Sequence, residues 1–197
     1  MRPDTSQRLF IELTLPSAVV DELGMLLRAC RDRVPAGSMR WVAPEGIHLT
    51  LRFLGDVPLR RQADLESVLA AVARRAPGLR RLALEGYGAF PGGRAAPRVF
   101  FVGLRDVSGT LPALTRGLDD ALAEAGWPSE GRPFHPHLTL GRVKEELRPA
   151  QMSELRRALA ECPRPEALTF EASQLALMRS ELARTGSRYS RLFTAAL

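Results

Sequence analysis

The chain of 197 residues contains only two cysteines, three histidines and one lysine. Cys30 and Cys162 lie far apart in the sequence and form no CxxC pair, so neither a disulfide framework nor a thiolate metal site is expected. Two reduced thiols in or near helices are the expected state of these residues.

Long apolar runs are also missing. No stretch approaches the ~20 continuous apolar residues of a membrane-spanning helix, so no membrane association is expected. The opening residues carry Asp4 and Glu12 and no small-residue cleavage site, which is unlike a signal peptide. We therefore expect a cytoplasmic protein.

Lysine is nearly absent although the formal net charge is +6. Lys144 is the single lysine, and arginine supplies all the other basic residues. The planar guanidinium of arginine suits phosphate groups, so a polyanionic substrate fits this composition. A GC-rich genome produces the same bias, so the charge indicates attraction to anions and says nothing of chemistry.

Strand and helix patterns interleave along the chain. Strands are predicted over 8–15, 38–42, 47–54, 79–90, 97–104 and 134–143, with a closing pair over 166–178 and 188–196. Helices are predicted over 17–33, 58–75, 108–125 and 150–161, the first with Ser17 as its N-cap. This order favours α/β or α+β with a mixed sheet, in one domain over 1–197.

One tetrapeptide occurs twice and uses two of the three histidines. His48 begins HLTL in the first half, and His137 begins HLTL in the second. Both copies lie in predicted strands, where alternate side chains share a face, so each histidine shares a face with the threonine two residues on, Thr50 or Thr139. The leucines lie on the opposite face. Two copies of a motif built on a scarce residue are hard to explain by packing alone.

The chemistry of this pair is direct. Two imidazoles that face one cleft can act as general acid and general base on opposite sides of a phosphorus centre. Histidine suits both tasks because its usual pKa of ~6.5 lets either protonation state exist near neutrality. A threonine hydroxyl can donate a hydrogen bond to a non-bridging phosphate oxygen. Such a site needs no metal.

The repeat stands within a longer resemblance. Two H-x-[T/S]-x motifs resemble the signature of the two-histidine (2H) phosphoesterases. The finer resemblance is to their RNA 2′,3′-cyclic phosphodiesterase branch, also known as 2′-5′ RNA ligase-like. Five stretches carry it in order, namely RLFIELTLP at 8–16, RWVAPEGIHLTLRFLGDV at 40–57, FPGGRAAPRVFFVGL at 90–104, FHPHLTLGR at 134–142 and LALMRSELARTGSRYSRL at 175–192.

This resemblance implies an α+β, bilobal fold in which two pseudo-symmetric mixed or antiparallel sheets flank a central cleft, with helices outside. It implies hydrolysis of the terminal 2′,3′-cyclic phosphate of RNA to a 2′-phosphate without a cofactor, together with a possible reverse 2′-5′ RNA ligase activity. The implied substrates are RNA ends or nucleoside 2′,3′-cyclic phosphates. Because the cleft is built within one chain, we expect a monomer.

The resemblance also gives each motif residue a role. His48 matches the proton donor to the leaving oxygen, and His137 matches the base that activates water. Thr50 and Thr139 match the phosphate-contacting hydroxyls. These four residues form the predicted reaction centre.

Two further positions match substrate-binding residues outside the repeat. Arg142 matches the arginine after the second motif, which implies a phosphate or ribose contact. Phe10, on the opening strand, matches a position that can contact the nucleoside. With the two threonines, these side chains complete the predicted binding site.

Two other functions fit parts of the sequence. His135 and His137 form an H-x-H element, and together with His48 they give three histidines, a set that can hold a catalytic zinc. That alternative leaves Thr50 and Thr139 unexplained. A non-catalytic RNA-binding module fits the charge, but the sequence has no clusters of base-stacking aromatic residues.

Overall fold

The computed structural model describes residues 6–76, 78, 80–93, 96–131, 133–144, 147–165, 168–183 and 186–197. The strands within these ranges are β1 (Ser6–Leu13), β2 (Met39–Trp41), β3 (Leu49–Pro58), β4 (Arg80–Phe90), β5 (Val99–Asp106), β6 (His137–Val143), β7 (Thr169–Ala172), β8 (Gln174–Ala183) and β9 (Gly186–Ala196). The helices are α1 (Ser17–Arg31), α2 (Gln62–Arg75), α3 (Leu111–Glu124) and α4 (Pro149–Ala160). Two short 3₁₀ turns, Pro44–Gly46 and Leu59–Arg61, precede β3 and α2.

The strands form two sheets. The first sheet has the order β3-β1-β8-β9, and the second has the order β2-β6-β5-β4-β7. Every pairing between the described strands is antiparallel. The predicted α+β class with two sheets is therefore confirmed, whereas the α/β alternative is not what the chain adopts.

The two sheets do not correspond to the two halves of the sequence. The first sheet takes β1 and β3 from the start of the chain and β8 and β9 from its end, while the second is built mainly from the middle. The motif strands β3 and β6 therefore belong to different sheets, and these strands approach each other. This arrangement places the two histidine motifs opposite one another.

The helices form where the sequence places apolar residues three and four positions apart. Helix α1 buries Leu23, Leu26, Leu27 and Cys30, as its periodicity predicts. The N-cap prediction is wrong, because Ser17 is the first helical residue and the preceding proline carbonyl accepts the first helical amide hydrogen bonds. None of the helices in the described ranges is long and apolar enough to cross a membrane.

The closing segment differs from the predicted strand pair. It forms three strands, of which β7 pairs with β4 in the second sheet while β8 and β9 pair in the first. On β7 the buried side chains alternate, at Phe170 and Ala172, whereas β8 buries four consecutive residues from Leu175 to Met178. This break in alternation marks the change of sheet at Ser173. The predicted turn here includes residues 184 and 185, which lie outside the described ranges.

The two cysteines are close in space although they are distant in sequence. Both are buried free thiols, Cys30 on α1 and Cys162 after α4. The Sγ of Cys30 lies 3.6 Å from the hydroxyl of Tyr87, which donates to the carbonyl oxygen of Pro163. The thiols of Cys30 and Cys162 are close enough to shift each other's pKa. This cluster joins α1 to the segment after α4.

The leucines of the repeat hold the motif strands in register. Leu49, Leu138 and Leu140 have no exposed surface, and Leu51 is 7% exposed. Burying each leucine contributes roughly 1.5–3 kcal/mol. A one-residue slip of either strand would expose these leucines and bury the histidine and threonine. The core thus fixes which face of each sheet carries the polar residues, and we call this the cleft face.

Candidate active site

His48 is oriented by the backbone that precedes it. It follows the 3₁₀ turn Pro44–Gly46, and its Nδ1 lies 2.8 Å from the carbonyl oxygen of Gly46. A carbonyl oxygen can only accept, so Nδ1 carries the hydrogen. The Nε2 atom is then the nitrogen that can exchange a proton with a substrate.

His137 has the same arrangement on the other sheet. Its Nδ1 lies 2.8 Å from the carbonyl oxygen of His135, again two residues before the imidazole. The hydrogen is again on Nδ1, which leaves Nε2 for chemistry. Each half-buried histidine is thus held in one tautomer by its own chain.

The two threonines are placed to bind a ligand. Thr50 and Thr139 are half-buried on the cleft faces of β3 and β6. Within the described residues, neither hydroxyl has a hydrogen-bond partner. A hydroxyl that is half-buried and unpaired can donate to an anion without first breaking a protein hydrogen bond.

A β-bulge follows the threonine in both motif strands. Neighbouring residues of β1 pair with Thr50 and Arg52, which leaves Leu51 as the extra residue. Neighbouring residues of β5 pair with Thr139 and Gly141, which leaves Leu140 as the extra residue. A bulge shifts the alternation of side chains by one position. The predicted strands continued without this shift.

The bulges decide which later residues face the cleft. Three positions after each threonine stand Phe53 and Arg142, and both are exposed. Without the bulge, Arg142 would share a face with the core residues Leu138 and Leu140. The predicted binding residue Arg142 is therefore on the cleft face because of the bulge, while its counterpart Phe53 was missed.

Aromatic rings pack against His48. The ring of Phe10 stacks on the imidazole with a centroid distance of 4.6 Å, and Tyr189 contacts it edge-on at 5.0 Å. Tyr189 also meets Phe10 edge-on at 5.3 Å. Phe10 is only 2% exposed, whereas Phe53 on the same face is 54% exposed. The nucleoside contact of Phe10 stays a prediction, since the observed contact of this ring is with His48.

A second aromatic pair packs against His137. Phe90 contacts the imidazole edge-on at 5.0 Å, and Phe101 lies at 5.2 Å. These two rings stack on each other at 4.4 Å. Gly88 makes room for them, because a Cβ atom there would lie 2.3 Å from the ring of Phe101. The two histidines thus share a packing scheme as well as a hydrogen-bonding scheme.

The pKa of each histidine is lowered, chiefly by burial. For His48, the hydrogen bond to Gly46 opposes this shift and the charge of His137 adds to it. For His137, the hydrogen bond to His135 opposes the shift, and the charges of His135 and Arg142 add to it. The effect of His137 on His48 places the two imidazoles within electrostatic reach of each other. His137 has the more cationic surroundings.

A sequence model of the 2′-5′ RNA ligase superfamily matches residues 19–184. The chain belongs to this superfamily. The family predicted from five short stretches is therefore confirmed.

Individual members of the superfamily are similar over most of this chain. An RNA 2′,3′-cyclic phosphodiesterase of Geobacillus stearothermophilus is 37% identical over 146 residues, which are 74% of this chain and 44% of that protein. This chain thus spans less than half of the length of that relative. An RNA 2′,3′-cyclic phosphodiesterase of Aeropyrum pernix is 33% identical over 159 residues, 79% of this chain and 84% of the relative.

Solved structures show the same fold. The crystal structure of Escherichia coli LigT complexed with 3′-AMP superposes with a TM-score of 0.74 at 28% identity, over 98% of both chains. The two-sheet arrangement described above is thus the fold of this superfamily.

The backbone carbonyl of His135 holds His137, whereas the side chain of His135 lies at the edge of the site. Its exposed ring packs edge-on against Phe90 and Phe101, and its centroid lies 6.5 Å from that of His137. Within the described ranges, no three His, Cys, Asp or Glu side chains are grouped as metal ligands. The geometry therefore gives the zinc alternative no support.

Several cleft residues were not among the predicted site residues. Alternation in β1 places Glu12 on the cleft face with Phe10, and this could have been read from the sequence. The contacts of Phe90, Phe101 and Tyr189 with the histidines depend on strand pairing, which a single sequence does not give.

Proposed function

We propose that the protein hydrolyses the terminal 2′,3′-cyclic phosphate of RNA to a 2′-phosphate by metal-independent acid–base catalysis. The observation that carries the proposal is the duplicated site, in which each imidazole is held through Nδ1 and keeps Nε2 available. Beside each imidazole lies a threonine hydroxyl that has no hydrogen-bond partner among the described residues. The relatives named RNA 2′,3′-cyclic phosphodiesterase support this substrate class.

The surroundings of the histidines support their separate roles. A general base must be neutral before reaction, and the positive charges of His135 and Arg142 disfavour the imidazolium form of His137. We therefore assign the base to His137 and the acid to His48. The negative phosphodiester group favours the imidazolium form of His48 once substrate is bound.

The proposed reaction is an in-line displacement at phosphorus. Water forms a bond to phosphorus while Nε2 of His137 takes its proton. The bond from phosphorus to O3′ breaks, and Nε2 of His48 gives its proton to O3′. The product carries a 2′-phosphate and a 3′-hydroxyl. An RNA 5′-hydroxyl in place of water would give the 2′-5′ linkage of the ligase side reaction.

The phosphate is stabilised by groups that need no metal. Hydroxyls of Thr50 and Thr139 donate to the non-bridging oxygens, and the guanidinium of Arg142 adds positive charge on the same cleft face. Exposed Phe53 offers its ring to the nucleoside. The 3′-AMP bound to E. coli LigT supports nucleotide binding by this fold. We further propose that the protein acts as a cytoplasmic monomer on RNA ends or nucleoside 2′,3′-cyclic phosphates.

The test is to follow an oligoribonucleotide with a 2′,3′-cyclic phosphate end by phosphorus NMR in excess EDTA. Conversion to a 2′-phosphate is expected, with a loss of about 10²–10⁴-fold in His48→Ala and in His137→Ala. His135→Ala is the matched control, since its backbone carbonyl remains. Activity that EDTA abolishes and zinc restores would contradict the proposal. Tight RNA binding without turnover would favour the binding-module alternative.

A further inference from the structure

Glu12 is a buried carboxyl on the cleft face of the first sheet. It lies on β1, two residues after Phe10, which stacks on His48. The neighbours Ile11 and Leu13 face the core with no exposed surface. Glu12 itself is only 6% exposed. The mechanism proposed above does not use this side chain.

The position of Glu12 is set by strand pairing. It stands directly opposite Thr50 on β3 and Ala176 on β8. Directly paired residues on one face have Cβ atoms about 4.5–5.5 Å apart. An oxygen atom bound by the hydroxyl of Thr50 therefore lies within reach of the carboxyl group of Glu12.

The carboxyl group has no protein partner in the described ranges. No hydrogen bond and no ion pair within 4.0 Å joins it to another described residue. The ionisable groups facing it are Arg191 and Tyr189 on β9 and His48 before β3, while β8 offers Ala176. Burial raises the pKa of Glu12 to about 7, because it outweighs the positive charge of Arg191, which lowers this pKa.

A buried carboxyl without a partner costs free energy unless a ligand uses it. As an anion, it would repel the phosphodiester charge next to Thr50. As a neutral acid, it can donate a hydrogen bond. Protonation therefore decides whether this group opposes or favours the substrate.

We propose that Glu12 binds the substrate in its neutral form, donating a hydrogen bond to the phosphate oxygen that Thr50 also contacts. Ionisation of Glu12 then weakens substrate binding at alkaline pH. This inference rests on the proposed function, which places the phosphate beside Thr50.

The experiment measures binding of adenosine 2′,3′-cyclic phosphate to the full-length His137→Ala chain by calorimetry at pH 7 and pH 9. The ligand is a monoanion at both values. Any proton that His48 takes up when the anion binds contributes equally in a control chain that differs only at position 12. Because the neutral fraction of Glu12 falls about tenfold per pH unit above its pKa, Kd is expected to rise at least about tenfold.

The control is Glu12→Gln in the same His137→Ala chain. The amide has nearly the same shape and donates at every pH, so the rise in Kd between the two values is expected to be at least about tenfold smaller than in the chain with Glu12. Thermal unfolding verifies that each variant is folded. An equal pH dependence in both chains would overturn the role of Glu12. Absence of binding in both folded chains at both pH values would instead count against the proposed function itself.

Discussion

The two histidine sites use one local design in two different environments. Both have the HLTL sequence, an Nδ1 hydrogen bond to a carbonyl two residues before, a bulge after the threonine and an aromatic pair. They differ three positions after the threonine, where the first sheet has Phe53 and the second has Arg142. The first site also has the buried carboxyl of Glu12, and the second has the exposed ring of His135.

This difference teaches that the tetrapeptide supplies a proton-exchanging group but does not decide its role. The cations around His137 favour a neutral base. The apolar ring beside His48 and the exposed Phe53 favour a nucleoside next to this histidine, in keeping with its proposed role as the acid. Residues outside the repeat thus distinguish the proposed acid from the proposed base.

The largest expected effect tests what the two sites share. Thr50→Val and Thr139→Val should each lower kcat by about 10²–10³-fold, because each removes one donor to the charge that develops on phosphate oxygens. Steady-state kinetics on a nucleoside 2′,3′-cyclic phosphate would measure this. Thr169→Val, at an exposed position of β7, is the matched control. A loss in only one motif variant would break the symmetry of phosphate binding.

The next effect concerns the carboxyl that only the first site has. The pKa of Glu12 rises from 4.5 to about 7 on folding, so the folded state holds this proton more tightly than the unfolded state does. Its contribution should lower the free energy of unfolding as the pH rises from 4.5 to 7, by about 3 kcal/mol in total. Denaturant unfolding at pH 5 and pH 8 should show this loss in the wild type but not in Glu12→Gln. The same pH dependence in both proteins would contradict the burial of an ionisable group here.

The contrast between Arg142 and Phe53 gives the third prediction. Arg142→Gln should raise KM by about tenfold and reduce its dependence on salt, because one phosphate-attracting charge is lost. Phe53→Ala should raise KM without changing the salt dependence, because its contact is apolar. Kinetics at two salt concentrations separate these outcomes, with Arg60→Gln as an exposed control. If KM of both variants depended on salt in the same way, the proposed contrast between a charged contact at Arg142 and an apolar contact at Phe53 would be wrong.

The smallest effect concerns the pH profile. His135→Ala removes a charge that lowers the pKa of His137, so that pKa should rise. A base must be neutral, so the acidic limb of kcat/KM should move to higher pH while the maximum changes little. A shift of the alkaline limb instead would indicate that His137 is the acid and His48 the base. A loss of all activity would mean that the side chain itself takes part.

The positions of the four motif residues could be predicted from the sequence better than those of the side chains around them. The repeat and the alternation of a strand suffice to place His48, Thr50, His137 and Thr139 on polar faces. The bulge at Leu140 could not be predicted, because it appears only when β5 is paired with β6. The orientation of Arg142 depends on that bulge.

Other contacts could not be predicted from the sequence because they form only when the strands assemble into sheets. Phe10 and Tyr189 come from opposite ends of the chain and meet because β8 lies between β1 and β9. Cys30 and Cys162 become neighbours through helix packing that their separation conceals. For Glu12, the alternation of β1 predicts the face on which the side chain lies. Its raised pKa and its lack of a partner among the described residues could not be predicted from the sequence.

In the proposed mechanism His137 is the base and His48 is the acid. The most direct measurement uses a nucleoside 2′,3′-cyclic phosphate in which sulfur replaces O3′, since a thiolate leaves without needing a proton from an acid. We predict that His48→Ala regains most of the wild-type kcat on this substrate, while His137→Ala remains as slow as on the oxygen substrate. Rescue of His137→Ala, with His48→Ala still inactive, would contradict the assignment.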